Sequence, residues 1–492
     1  MEIKDASSYW GLETGDTQRK LKDDLNDEQI HIASIGPGGE NLVRYACILN
    51  DLRNAAGRTG MGAVLGSKKL KAIVVKGKKR IDVANKAQID QFRKKMNSDY
   101  LPNLEHFSLL GTGGDRIAAF VKEGNLSVRN FRDGTFETAD KIDPRMMKNE
   151  LGMKMEGCYA CPIRCKKVVS FSEPWDVKAE YGGPEYESIG AFGSNCGIDD
   201  VKAICKANEL CNRYGIDVIS AGVTIGFAME CYERGLLNEN ITHGLEIEFG
   251  NAEALVKLVE MIAKREEIGA LLAEGVKRVA EKIGNNSDHF AIHVKGLEVP
   301  MHEPRLKRGL GLGYTVSPTG ADHMHNLNDI LLTSEKSVKR FAPIGILEPL
   351  PLDDLGNQKV QALIYQTNWR VVYNSLVMCM FQPWNHSDIV EITRAITGWD
   401  ITLEELLRIG ERITTMARAF NIREGFTKKD DWLPERFFTP KTSGALANSC
   451  YTREELEEAR AIYYKNMGWN KDGVPLLTKL EELNIDWVNQ LL

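Results

Sequence analysis

Three cysteines fall within eight residues, in Gly157-Cys-Tyr-Ala-Cys-Pro-Ile-Arg-Cys165, at the spacing C-x2-C-x3-C. Soft thiolates this close suit a metal centre, because a short loop can make them converge on one point. Three thiolates do not complete the four ligands of a [4Fe-4S] cluster or of a structural zinc site. The fold must therefore bring a distant part of the chain back to this loop. Cys379, in Asn374-Ser-Leu-Val-Met-Cys379, is one candidate for the fourth ligand; Cys196, Cys205, Cys211 and Cys231 are others. Iron–sulfur, zinc and metal-free buried thiols all stay open on spacing alone. Cys205 and Cys211 fall on a predicted helix and suit core packing. Cys450 falls in a terminal loop and is given no chemical role.

Ten cysteines in 492 residues are too sparse for a disulfide scaffold, which belongs to short secreted chains. The first twenty residues, MEIKDASSYWGLETGDTQRK, lack the apolar stretch of a signal peptide. No apolar run approaches the roughly 18 residues of a membrane span. These features predict a cytoplasmic location and no membrane span. A net charge of −6 argues against a nucleic-acid binder, which would be basic. At about 150 residues per domain, the length predicts two to four domains.

The first eighty residues read as mixed α and β. His31 to Gly36 is a predicted strand running into the turn Gly36-Pro-Gly-Gly-Glu40. Glu40 to Arg53 has helical spacing. Gly57-Arg-Thr-Gly-Met-Gly62 is a glycine loop suited to close approach of backbone to a ligand. Lys69 to Lys76 is a β-branched strand. From Val83 to Lys282 the signal is mainly helical, with apolar periodicity over Val201–Tyr214, Val223–Leu236, Ala252–Lys264 and Ile268–Ile283. Gly235 and Gly284 mark helix ends. Residues 294–326 are rich in Gly, Pro and His and show little periodicity. Helical patterns return at 355–380, 387–396 and 403–420, and Thr452 to Lys465 is a charged helix. The composition shifts near 83 and 293 place domain boundaries there.

Several stretches in this order resemble one family, the aldehyde:ferredoxin oxidoreductases, which are tungsten-pterin enzymes. They are Gly36-Pro-Gly-Gly-Glu-Asn-Leu-Val-Arg44, Gly57-Arg-Thr-Gly-Met-Gly-Ala-Val-Leu-Gly-Ser-Lys68 and the cysteine loop. Gly183-Pro-Glu-Tyr-Glu187, Asn212-Arg-Tyr-Gly-Ile-Asp217, Gly320-Ala-Asp-His323 and Arg418-Ala-Phe-Asn-Ile-Arg-Glu-Gly425 continue the series. The resemblance implies an α+β fold, a β-rich N-terminal base followed by two mainly α-helical domains, at 1–83, 84–293 and 294–492. It implies a tungsten (or molybdenum) bis-pterin beside a [4Fe-4S] cluster, with magnesium bridging the pterin phosphates. It also implies oxidation of a small aldehyde to its acid, with electrons passing to ferredoxin or an iron–sulfur subunit, and a homo-oligomer. The family includes subunits that reduce aromatic acyl thioesters, a second reading. Family members carry a longer N-terminal section, so either a longer reading frame or a separate chain supplies part of the base here. A third reading is an electron-transfer module without the pterin.

Residue by residue, the resemblance assigns Cys158, Cys161, Cys165 and Cys379 to the cluster, with Cys379 also at a pterin. Asn212, Asp217 and Asn374 match pterin contacts, although Asn replaces a leading Asp in both motifs and the second motif lacks its glycine. Gly57, Arg58 and Thr59 match the loop facing the pterin phosphates, and His325 lies where some relatives contact the pterin. Glu187 matches an active-site carboxylate, read as the general base that takes a proton from the attacking water. His323 matches an active-site histidine, read as hydrogen-bonding the substrate carbonyl oxygen. Arg305 suits either a phosphate or an ion pair. Arg164, Lys166 and Lys167, with Lys148 and Lys154, predict a basic docking face for an acidic ferredoxin.

Overall fold

The computed structural model describes residues 2–79 and 81–492. Its N-terminal part holds one four-stranded antiparallel sheet, ordered β3-β2-β1-β4. The strands are β1 (His31–Ser34), β2 (Ile48–Asn50), β3 (Asn54–Ala56) and β4 (Ala72–Val75). In β1, Ile32 and Ser34 turn inward while His31 faces water, the period-two pattern of a half-buried strand. The register pairs Ala33 with Asn50 on one side and with Ile73 on the other. Two further antiparallel pairs follow: β5 (Lys154–Glu156) with β6 (Lys166–Val168), and β7 (His293–Val294) with β8 (Leu297–Glu298). The rest is mainly helical, so the fold is α+β.

The helix expected over Glu40 to Arg53 does not form. Only Pro37–Glu40 is helical, and the chain then turns at Leu42 (φ +57°) and again at Asp51 and Leu52 (φ +47° and +69°). Leu49 is buried inside β2, between half-buried Ile48 and exposed Asn50. A helical period over these residues therefore arises from two turns and a strand.

Val201–Tyr214 and Ala252–Lys264 form as their periodicity predicts, whereas the helix expected over Val223–Leu236 runs from Val218 to Glu233. Val201–Tyr214 starts at an Asp200 cap that accepts from Lys202 N and Ala203 N, and stops at Gly215 in the left-handed region. Val218–Glu233 is buried along nearly its whole length. It packs against the short helix Tyr186–Phe192 through Gly222, where an added Cβ would sit 2.6 Å from the Ala191 Cβ. The predicted helix Ile268–Ile283 is two, Ile268–Leu272 and Val276–Ile283, separated at Gly275 (φ +79°). Inside the aperiodic stretch 294–326 lies a helix, Arg308–Val316, every residue of which from Gly309 on is buried. Alternate glycines, poor helix formers, hide it in the sequence. They are there for close packing: a side chain at Gly311 would collide with the Tyr451 hydroxyl. The C-terminal part contains Asn357–Ser375, His386–Thr397, Leu403–Arg423 and Arg453–Asn466. One hydrophobic core joins residues from Val43 to Trp469.

Arg305 is not a phosphate ligand. It is buried, pairs with Glu303 through Nε at 2.8 Å, and donates to the carbonyls of Phe131 and Thr439. Lys441 Nζ lies 3.1 Å from the other Glu303 oxygen. Burial alone would raise the Glu303 carboxyl, but the two cations hold it down to about 2. A carboxyl depressed on folding adds stability above its unfolded value, near ~4.3, and loses it as pH falls toward 2. Glu303→Ala is expected to cost about 3–5 kcal/mol, because it strands two buried cations. Urea unfolding of both proteins at pH 7, 4 and 3 checks this: the difference should shrink as the pH falls.

Candidate active site

The turn Gly183 to Glu187 opens the helix Tyr186–Phe192, and the helix seats Glu187 in its first turn. The Tyr186 hydroxyl donates to Met301 O at 2.6 Å, and Met301 N donates to Glu187 Oε2 at 2.8 Å. These two bonds fasten residues 301–302 to the carboxylate. His302 Nε2 then lies 3.2 Å from Glu187 Oε1, and His323 Nε2 lies 3.6 Å from the same oxygen. The two imidazole rings are 5.0 Å apart. Glu187 Oε1, His323 Nδ1 and the Tyr314 hydroxyl are buried without a hydrogen-bond partner. A buried polar atom left unpaired costs roughly 1–3 kcal/mol, so three in one place mark a site built for a ligand.

Burial pushes His302 far below the usual histidine range and His323 down to about 4, the latter against the pull of Glu187. Both rings are neutral at pH 7. Lys307 is pushed down to about 8 by burial, with Asp329 and Glu187 resisting. Its Nζ lies 3.3 Å from His302 Nδ1. The ammonium donates there, so His302 carries its proton on Nε2, facing Glu187. Glu187, His302 and His323 offer atoms within 4.8 Å of one another, a spacing a divalent ion can use. A metal would need the Nε2 lone pair that the Lys307 contact protonates.

His302, Lys307 and Tyr314 are the site residues that sequence reasoning missed. Their one signal is the Gly-, Pro- and His-rich composition of 294–326. His325, also predicted, has a buried Nε2 without a partner.

The cysteine loop joins β5 to β6. Cys158 and Cys379 are exposed, and Cys161 and Cys165 are half-buried. Burial pushes the Cys165 thiol up to about 11, and the charges of Glu185, Cys379 and Cys158 add to the rise. The charge of Cys379, on the turn after the helix Asn357–Ser375, thus reaches Cys165. Cys196, Cys205, Cys211 and Cys231 are buried in the helical core. A set of four cysteines with unbridged thiols, two of them exposed, fits a thiolate-ligated cluster. Asn374 lies exposed near the end of the same helix.

Arg58 connects three segments. Its Nε donates to Asp217 Oδ2 at 3.2 Å, Nη1 to Ala321 O at 2.7 Å and Nη2 to Glu298 O. Two of its five N–H groups remain for an anion. Gly57 and Thr59 flank it, and a cavity of about 300 Å³ beside Thr59 and Gly60 is lined by Arg44, Arg278 and Lys295. Glu274 and Glu298 line it too; Arg44 pairs with Glu274 and Lys295 with Asp431, which leaves Arg278 as the lining cation without a carboxylate partner among the described residues. Asp217 caps the helix Val218–Glu233 as well as holding Arg58. Asn212 stands apart, its Nδ2 bonded to Tyr181 O. A larger cavity of about 790 Å³, near Arg436 and Arg453, contains none of the predicted site residues.

Residues 1–77 match the N-terminal domain of aldehyde ferredoxin oxidoreductase, and residues 89–485 match its domains 2 and 3. The chain belongs to the aldehyde ferredoxin oxidoreductase family. It is an oxidoreductase of that type. The tungsten-containing aldehyde ferredoxin oxidoreductase of Pyrococcus furiosus is 37% identical over 494 residues, covering 99% of this chain and 78% of that protein. The aliphatic sulfonate oxidoreductase WOR-like subunit of the same organism is 30% identical over 514 residues, covering 99% and 77%. The BamBC active site complex of benzoyl coenzyme A reductase, in complex with 1,5-dienoyl-CoA, superposes with a TM-score of 0.79 at 24% identity, covering 99% of this chain and 78% of that one. That last likeness bears on the fold alone. No helix among the described residues is long and apolar enough to cross a membrane.

The predicted docking face loses one member. Lys167 is buried, bonded to Thr112 O at 2.7 Å and paired with Glu185 at 3.0 Å. Its place at an inward position of β6 hides it. Lys148, Lys154 and Arg164 are exposed, and Lys166 is half-buried.

Proposed function

We propose that this chain oxidises an aldehyde to its carboxylic acid at a tungsten (or molybdenum) bis-pterin. Cys158, Cys161, Cys165 and Cys379 would hold a [4Fe-4S] cluster, and ferredoxin or an iron–sulfur subunit would take the electrons. The observation that carries this reading is the half-buried Glu187 carboxylate beside two neutral imidazoles, with its own Oε1, His323 Nδ1 and the Tyr314 hydroxyl left unpartnered. Arg58, Gly57, Thr59 and Asp217 are the residues offered to the pterin, with magnesium on its phosphates, and Asn212, Asn374 and His325 complete the proposed set. When bound, the pterin metal and the cluster supply the acceptor and the outlet for two electrons.

The chain's own residues supply the rest. Water adds to the aldehyde carbon, and two protons and two electrons leave as the acid forms. Met301 N–H holds Glu187 Oε2, which leaves Oε1 to take the proton of the attacking water. His323 donates from its unpartnered Nδ1 to the carbonyl oxygen as charge develops there. Its Nε2 lone pair then accepts the new Oε1 proton of Glu187. His302 Nε2 lies 3.2 Å from the same Oε1 and keeps that oxygen facing the site. Substrate and base meet in a site walled by Tyr186 and Tyr314.

Element counting on anaerobically purified protein, followed by aldehyde-dependent reduction of a viologen dye, tests the reading. About four irons and one tungsten or molybdenum per chain, with aldehyde activity, would support it. Zinc without iron would overturn it. Aliphatic sulfonates and aromatic acyl thioesters are the comparison substrates. The Lys307 contact makes a separate prediction. kcat/KM should fall as pH rises through about 8, because only the ammonium fixes the His302 tautomer. Lys307→Met should lower kcat about tenfold, the low end for a hydrogen bond to a charged group, and should abolish that alkaline limb. A limb that survives the substitution would assign it to another group.

A further inference from the structure

We propose that Arg370 and Arg340 form a binding site for a small anion, a carboxylate or phosphate group, on the helix that leads to Cys379. Arg370 sits on Asn357–Ser375, five residues before Ser375, and is half-buried. Its Nε is buried and has no hydrogen-bond partner. Among the described residues, neither Arg370 nor Arg340 pairs with a carboxylate or donates a side-chain hydrogen bond. The other deeply placed arginines do: Arg305 with Glu303, Arg418 with Asp431 and Arg436 with Glu230. Arg340 is exposed, so the cost of taking a guanidinium out of water without a counter-charge falls on Arg370.

The surroundings make the imbalance worse. Arg340 precedes Phe341, whose ring packs 5.8 Å from Tyr365. The Tyr365 hydroxyl lies 3.1 Å from His386 Nε2, and the His386 ring lies 4.5 Å from Trp369. The positive charge of Arg340 acts on Arg370, Tyr365, Tyr373 and His386 alike. Burial holds His386 near 4, so the imidazole is neutral. After burial, Tyr373 and Arg340 are the groups that act most on Arg370, and neither is a carboxylate. Two guanidiniums, two phenols and a neutral imidazole thus cluster here, and the carboxylate that acts on Tyr373, Asp388, is already held by Lys95 and Tyr100. A ligand is left to supply the negative charge, and a planar guanidinium matches a carboxylate or phosphate through paired N–H bonds. The anion is either an acid group at the end of a substrate or a phosphate of the cofactor. The inference stands on this geometry and not on the aldehyde reading.

Isothermal titration of the full chain with inorganic phosphate, and separately with succinate, decides the matter. Saturable binding of at least one probe is expected, weakened at least tenfold in Arg370→Met and in Arg340→Gln, and partly restored in Arg370→Lys. Absence of saturable binding for both probes overturns the proposal, as does unchanged binding in both Met and Gln variants. Matching far-ultraviolet circular dichroism and thermal midpoints confirm that the variants fold. Two arms identify the source. A fall of at least tenfold in the preference for succinic semialdehyde over butanal in Arg370→Met assigns the anion to substrate. Loss of tungsten or molybdenum from purified Arg370→Met assigns it to the cofactor. Inactivity of the wild type on both aldehydes would count against the aldehyde reading and leave the titration result standing.

Discussion

Cys379→Ala is expected to abolish the iron–sulfur centre while leaving the fold intact. Cys379 is exposed on the turn after Asn357–Ser375, and its side chain makes no hydrogen bond among the described residues. Little folding energy is lost with it. A cubane needs four thiolates, and the loop Cys158–Cys165 provides three. Iron should fall from about four per chain toward zero, and dye reduction with it. Cys205→Ala is the contrasting control. That thiol is buried in the core, so the substitution should lower the unfolding midpoint and leave the iron count unchanged. Retention of about four irons in Cys379→Ala would remove Cys379 from the ligand set.

Glu187→Gln is expected to lower kcat by roughly 10²–10⁴-fold, the usual contribution of a positioned general base. The amide keeps the shape of the carboxylate, and its oxygen can still accept from Met301 N, so the unfolding midpoint should hold. His323→Ala should cost about 10²–10³-fold, the range for removing one donor at a developing oxyanion. The two losses should not add, because Glu187 and His323 handle the same proton. Single-turnover kinetics in a metal-loaded preparation measures both. Near wild-type turnover in either variant would end that residue's assigned role.

The helices of this protein are legible in the sequence where one face is apolar and the ends are capped. Asp200 and Gly215 bound Val201–Tyr214 as local rules require. The helix Arg308–Val316 is illegible because its glycines serve neighbours, Tyr451 and Asn326, that sequence does not place beside them. Glu187 and His323 are readable through short motifs. His302 is not, because its role comes from the Met301 and Lys307 contacts, which only the folded chain creates. Lys167 shows the converse error. A lysine beside a charged loop reads as surface, yet the fold buries Lys167 where Thr112 O and Glu185 receive its ammonium.

The Arg58 clamp has a consequence for how the protein folds. Its three bonds join residues 159, 240 and 263 positions apart in the chain. Contacts of such long range close large loops, and they form late because the entropy of closure is lost before any contact rewards it. Ala321 lies two residues before His323, so the loop carrying that histidine, held also by Asn421 at Pro318 O and by Asn326 at Asp322 O, is completed when the N-terminal segment docks. Refolding should therefore recover helical signal well before it recovers a competent site, and the last event should be the arrival of residue 58.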